Sequence, residues 1–350
     1  MIDHGESAPA AGVTRVLVTG ANGFIGSNLF RHLVRRGNEV VGLVRPESDR
    51  AFLADWNSKT VLGDIANGHG LAEAMRGVSV VYNTAGLASD WGAWSDFWKA
   101  NVKGVRNVLA AARANNVRRV VHVSSVSVYG FPGGRELDET APFLARPHDH
   151  YITSKAAGDL LALRDHSPDL QISVVRPAGV YGPNDRVTTR PLADALRRRR
   201  FVFVDRGQHI MAPIYVGNLV ELIRLAGEHE RAAGQAFNAI DDLHTTWRQF
   251  IDWFCEDLGC PAPRLSVPAR AAWPIAAAIE KFAKAAGFRT SPPVNSYRVR
   301  ATMQDNHYSA LKAKQLLGWT PSTSTRDGIR HAAQWYLNAV PDCTGRRPAR

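Results

Sequence analysis

The stretch "RVLVTGANGFIGSNL" (15–29) limits the fold more than any other part of the chain. A run of apolar residues too short for a helix ends in Gly20, and Gly23 and Gly26 follow at equal spacing before a helical pattern begins. Glycines in a strand–turn–helix permit a tight turn and close approach of backbone to a pyrophosphate. The unpaired N–H groups and partial positive charge of the helix N-terminus then face the anion. Strand patterns recur at "EVVGLVR" (39–45), "TVLGDI" (60–65), "VSVVYNTAG" (78–86), "RVVHVSS" (119–125) and "ISVVRP" (172–177), with helical patterns such as 27–36 and 97–115 between them. Valine-rich runs alternating with helices predict an α/β chain, a Rossmann-type doubly wound parallel sheet covered on both faces. Residues 13–176 are expected to form this dinucleotide-binding domain. Residues 177–338 are expected to form a smaller, discontinuous substrate lobe that returns to the sheet at 213–240. Disordered ends are expected at 1–12 and, as a basic tail, at 339–350.

A second feature is "YITSK" (151–155), in which Tyr151 and Lys155 stand one helical turn apart and project from one face. Alone the pair is weak. It gains weight from its company: Asp64 after the third strand, "NTAG" (83–86) after the fourth, "NVKGVRNVL" (101–109), "SSVSVYG" (124–130) and "RPAGVYGP" (176–183), all in order. Together with "TGANGFIG" these segments resemble the extended short-chain dehydrogenase/reductase family, over most of the chain.

The resemblance implies that Tyr151 is a general acid/base, with Lys155 and the positive nicotinamide ring together lowering the phenol's pKa from about 10. It places the substrate-orienting hydroxyl at Ser125, with Ser124 as its neighbour. Asn101 would hold a proton-relay water, the alternative being a helix N-cap. The cofactor would lie against Gly20, Asn22, Gly23, Phe24, Ile25 and Gly26, then Arg45, Asp64 and Ile65. Thr84, Ala85, Gly86, Tyr151, Lys155 and Pro177 would complete that surface. At the end of the second strand, where a carboxylate would select NAD(H), stands Arg45. A guanidinium suits a 2′-phosphate, which favours NADP(H), with NAD(H) the alternative.

Two positions bear on the substrate. Nucleotide-sugar members of the family carry Asn where this chain has Gly179, and Arg where it has Met211; Gly217–Asn218 replace their aspartates. "YVGNLVELI" and "SDWGAWSDFWKANVKG" (89–104) instead resemble the 3β-hydroxysteroid dehydrogenase-like branch with its 2-alkyl-3-oxoalkanoate reductases. The resemblance therefore implies hydride transfer on a ketone or secondary alcohol of an apolar molecule. A nucleotide-sugar epimerase or dehydratase holding NAD, and a catalytically silent dinucleotide sensor, are the alternatives. Trp91, Trp94, Phe97 and Trp98 could line an apolar slot or merely pack. The segment with Trp273, Ile275, Ile279 and Phe282 could cap a pocket, touch a membrane surface or pack in the core.

A formal charge of +11 makes nucleic acid the first partner to weigh. The densest run, Arg197–Arg200, sits at a predicted helix end instead, and no nucleic-acid partner is expected. Cys255, Cys260 and Cys343 have neither disulfide nor metal spacing, so no metal is expected, and no signal peptide or membrane span is visible. These readings point to the cytoplasm. A homodimer is implied by the family resemblance alone.

Overall fold

The computed structural model describes residues 14–49, 53, 59–143, 149–241 and 244–339. The expected disordered stretch 1–12, all of the expected tail 339–350 except Ala339, and Cys343 lie outside the described residues; Ala339 ends the last helix. The first half builds β1 (Arg15–Thr19), α1 (Phe24–Arg35), β2 (Glu39–Val44), β3 (Lys59–Leu62), α2 (Leu71–Ala74) and β4 (Val80–Asn83). A continuous helical stretch follows, of α3 (Trp94–Trp98), a π-helical turn (Lys99–Lys103) and α4 (Gly104–Ala114). Then come β5 (Arg119–Val123), the short β6 (Gly134–Leu137), α5 (His150–Arg164) and β7 (Gln171–Pro177). The second half contributes β8 (Gly179–Tyr181), α6 (Thr189–Arg197), β9 (Phe203–Val204), β10 (Pro213–Tyr215), α7 (Val216–Glu228) and β11 (Ala236–Ala239). It continues with α8 (Trp247–Leu258), β12 (Ser266–Val267), α9 (Ala269–Ala285), α10 (Ser296–Thr302), β13 (Asn306–Tyr308), α11 (Leu311–Leu317) and α12 (Thr325–Ala339).

Seven strands form one all-parallel sheet in the order β11-β7-β5-β4-β1-β2-β3. Side chains alternate across a strand, so each valine-rich run feeds two cores. Val16 and Val18 join one cluster and Leu17 the other; Val121 and Val123 lie opposite Val120. Helix α7 covers the first face, and α4 and α5 the second. The strand reversal between β1 and β4 places a crevice at the carboxyl ends of the sheet, where ligands of such sheets bind.

Helix α1 begins at Phe24, three residues before the sequence pattern suggests. Gly23 itself is the N-cap, with extended backbone (φ −74°, ψ 172°). A third core, built from Phe203, Phe250, Phe254 and Tyr336, joins α6, α8 and α12. Asn218 ties this lobe to the sheet. Its Nδ2 donates to Asp241 Oδ1 and Thr323 O, both at 2.8 Å, and its Oδ1 accepts from Ser322 N and Thr323 N. With its amide fully engaged, Asn218 serves structure. Asp241, whose carboxylate also receives Tyr215 N, is pushed up to about 6 by burial. Helices α9 and α10 have only a small core of their own, Ala272, Ala276 and Val299.

Candidate active site

The turn after β1 is closed by backbone. Gly20 has φ +65°, its N donates to Leu43 O (3.0 Å), and its O accepts from Gly23 N (2.8 Å). A Cβ at Gly26 would stand 2.2 Å from Gly20 O and 2.8 Å from Thr84 Oγ1; one at Gly20 would press on Ala85. The opening turn of α1 has neither a side-chain cap nor an acidic residue. Its first N–H groups therefore keep their donors and partial positive charge for a ligand, with Asn22, Phe24 and Ile25 half-buried around them. This cradle fits a dinucleotide pyrophosphate.

Across the cradle, Thr84 Oγ1 donates to Thr19 O (2.6 Å). Thr19 Oγ1 accepts from Ala85 N (3.2 Å) and donates to Asn83 Oδ1 (2.7 Å). These bonds lock the ends of β1 and β4 side by side, with Gly86 against Asn101. Arg45 is exposed at the end of β2, in a turn closed by Ser48 N to its carbonyl (3.1 Å). Asp64 caps its own turn through Ala66 N (2.8 Å). Ile65 is buried under Gly104, and Pro177 is buried at the end of β7.

Helix α5 starts with Asp149, whose carboxylate caps Ile152 N (2.6 Å), and carries Tyr151 and Lys155 on one face. Lys155 is buried and its Nζ donates to Val123 O at the end of β5 (2.7 Å). Burial lowers its pKa to about 8, partly offset by the Asp159 carboxylate one turn on. Burial also raises the pKa of Tyr151, and the neighbouring Ser125 and Ser127 hydroxyls act against that shift. In this arrangement the Lys155 ammonium is held by the β5 carbonyl, and desolvation is the largest influence on the phenol. Ser125 also caps the short helical turn after β5 by accepting Ser127 N (3.1 Å). Ser124 is buried behind it and its hydroxyl has no partner.

Asn101 is not an N-cap. It lies in the middle of the π-helical turn, accepts Leu87 N (2.8 Å), and donates to Leu87 O and Ser154 Oγ, both at 3.0 Å. That amide clamps the loop after β4 to α5. The aromatic cluster divides. Phe97 is core, packed edge-on to His150 (6.0 Å), whereas Trp94 and Trp98 are exposed and tilted against each other (5.7 Å). Trp91 Nε1 donates to Phe288 O (2.9 Å). Trp91 thereby reaches the distal lobe.

Several groups escape the sequence reading. His122, buried beneath Lys155, meets Asn83 Nδ2 through its Nδ1 (3.2 Å), and burial holds it well below the usual histidine range, hence neutral. Tyr297 of α10 lies edge-on against Tyr151 (6.0 Å) and against Phe131 (5.4 Å), forming an aromatic wall. Arg176 grips Asp159 bidentately in the interior (2.8 and 2.9 Å) and donates to Tyr129 Oη (2.8 Å), bracing α5 against β7. Asp159 follows Lys155 by four residues, so a one-face Tyr–Lys–Asp spacing was readable. The contacts of His122 and Tyr297 are long-range and left no local signal. Gly179 and Met211 converge: a Cβ on Gly179 would lie 3.8 Å from Met211 Cε.

The sequence profile described as the NAD dependent epimerase/dehydratase family matches residues 16–239. A 4-hydroxy-2-methyl-3-oxo-4-farnesyl-3,4-dihydroquinoline-1-oxide ketoreductase of Stigmatella aurantiaca is 31% identical, covering 93% of this chain and 99% of its own. A 2-alkyl-3-oxoalkanoate reductase of Stenotrophomonas maltophilia is 27% identical over 90% of this chain and 97% of its own. Among solved structures, a UDP-glucuronic acid 4-epimerase from Bacillus cereus, in complex with NAD, superposes with a TM-score of 0.73. It is 21% identical and covers 92% of this chain and 98% of its own, a likeness of fold.

Proposed function

The chain belongs to the NAD dependent epimerase/dehydratase family, and on that premise we propose that it is an oxidoreductase interconverting a ketone and a secondary alcohol on an apolar substrate. The observation that carries the substrate class is the meeting of Gly179 and Met211. Two positions that would hold polar or cationic phosphate ligands in nucleotide-sugar enzymes instead make one uncharged surface. A buried diphosphate without a compensating cation is strongly disfavoured. The aromatic wall of Phe131 and Tyr297 beside Tyr151 suits an apolar molecule equally. Both relatives named above carry reductase names, and one acts on a farnesylated compound by its name.

The glycine cradle and the uncapped end of α1 would hold the pyrophosphate of a nicotinamide dinucleotide, and Arg45 the 2′-phosphate of NADP(H), the form we favour. When bound, this group supplies or accepts the hydride. Tyr151, a phenol whose ordinary pKa of about 10 leaves it neutral at pH 7 and which burial shifts further up, is in the state needed to donate a proton to a carbonyl oxygen. Ser125 stands beside that hydroxyl and would share the charge developing on the oxygen. Lys155, held by Val123 O, keeps a cation at the end of β5. For the oxidative direction Tyr151 must first lose its proton.

The test is side by side. Apolar 3-oxo acids and sterol-type ketones are offered with NADPH and NADH, and UDP- and dTDP-sugars in parallel, while nicotinamide absorbance and products are followed. Consumption of reduced cofactor with an apolar ketone, absent in Tyr151→Phe, is the expected outcome. Tight binding of a nucleotide sugar, with an epimerised product and no net cofactor turnover, would overturn the reading.

A further inference from the structure

Helix α9 presents three distinct surfaces. Ala272, Ala276 and Ala283 are buried, the first two packing with Val299 of α10. At helical spacing on a second face, Ile275, Ile279 and Phe282 are 51%, 37% and 67% exposed, and Phe288, 50% exposed, sets its ring against Phe282 (6.2 Å). Helical residues at i, i+4 and i+7 in a globular protein ordinarily face a core. Here they face out. Lys281 and Lys284 are also exposed on α9, with Arg289 just beyond its end. The helix has one acid, Glu280, which is occupied by Lys284 Nζ (2.6 Å) and Ser296 N (3.1 Å).

The segment from α9 to α10 joins this face to a second basic feature. Its Pro293 forms one wall of an open cavity of about 490 Å³ that is otherwise lined by Arg186, Arg190, Arg198 and Arg200, among other residues. Asp194, the acid in that lining, accepts the Tyr336 hydroxyl (2.6 Å). Arg186 meets Asp49, both well exposed. Val294, next to Pro293, is 40% exposed. The segment 275–294 thus carries exposed apolar side chains and, at Pro293, borders a guanidinium-lined cavity, on a chain of net charge +11.

We propose that this face docks the protein on an anionic phospholipid bilayer. Helix α9 would lie in the plane of the interface, with Ile275, Ile279, Phe282 and Phe288 at the acyl boundary and the arginine cavity on lipid phosphates. Among the described residues no helix is long and apolar enough to cross a membrane, so the association is peripheral. Amphipathic helices bind this way when an apolar face and cations act together. A second copy of the chain is the less suitable occupant, because it would bring like charges against these. The inference rests on the surface alone and is independent of the reaction proposed above.

Flotation with vesicles tests it directly. The protein is expected to float with phosphatidylcholine–phosphatidylglycerol vesicles, to be released by high salt, and to float poorly with phosphatidylcholine alone. Phe282→Asp, and separately Arg190→Glu with Arg198→Glu, should each lower partitioning by about tenfold or more. Thermal midpoints confirm that each variant is folded, and Phe282→Ser replaces Phe282→Asp if the latter unfolds. No flotation on either lipid, equal flotation on both, or folded variants floating like the parent would overturn the proposal. So would a dimer in light scattering that Phe282→Asp converts to monomer, which would assign the face to a second copy.

Discussion

Tyr151 is half-buried edge-on against Tyr297, with the Ser125 and Ser127 hydroxyls near its own, so its replacement isolates one chemical role. Tyr151→Phe should slow turnover by about 10²–10⁴-fold, the usual worth of a general acid. Dinucleotide affinity should hardly change, since the cradle at α1 is untouched; steady-state rates and a cofactor titration separate the two. The pH dependence follows from Lys155, whose pKa burial brings down to about 8. Below that value the ammonium is present, and above it the charge is lost. Reduction, which needs the Tyr151 proton and this cation together, should hold on the acid side and fall as pH rises through about 8. A kcat/KM profile that stays level there would remove Lys155 from the chemistry. Arg45→Asp should turn the cofactor preference toward NADH, with a loss of about ten- to a hundred-fold in NADPH affinity. Unaltered NADPH binding would make Arg45 an ordinary surface residue. Tyr151, Lys155 and Ser125 were legible because their relationships are local, one helical turn or one strand end. His122 and Tyr297 were not, because folding alone brings them to the pair.

Helix α5 is placed by two devices. Gly158 lies on the π-helical turn, where an added Cβ would stand 2.2 Å from Asn101 O, and Arg176 holds Asp159 from β7. Gly158→Val should therefore push α5 off its neighbour, costing about 1–3 kcal/mol by overpacking. Leu160→Ala, at an exposed position of the same helix, should stay within about 0.5 kcal/mol. Asp159→Ala leaves a guanidinium buried without its partner and should cost about 3–5 kcal/mol. Urea unfolding midpoints order the three variants, and Gly158→Val as stable as Leu160→Ala would mean that α5 is not fixed by this contact. Strands and helices were readable from period and composition, since Val16, Leu17 and Val18 must alternate between two cores. The π-helical turn was not readable. "WKANVKG" carries no proline or insertion to mark it, and the reason for it lies across the helix pair, in Asn101 and Gly158.

Across the molecule, packing is uneven in a way that bears on function. The sheet is flanked by two large cores and the lobe has a third, but α9 and α10 share only Ala272, Ala276 and Val299 as a buried cluster, with partly buried neighbours such as Trp273 and Met303. Besides the Tyr297 wall and the partly buried Val204 and Val267, polar bonds attach them to the rest. Asp90 receives Asn295 Nδ2 (2.9 Å) and Arg298 Nε (2.6 Å), and Trp91 reaches Phe288 O. Such elements open locally at lower free energy than core strands. Because α10 carries Tyr297 over Tyr151, that opening would uncover the aromatic wall while the glycine cradle, held by β1 and β4, stays closed. Native-state hydrogen exchange should then show α9 and α10 exchanging well before β1, β4, β5 and α7. Asp90→Ala, which removes the shared acceptor of Asn295 and Arg298, should speed exchange in α10 and leave the sheet unchanged. Exchange of α10 in step with β5, in parent and variant alike, would show that the lobe opens only when the whole chain unfolds.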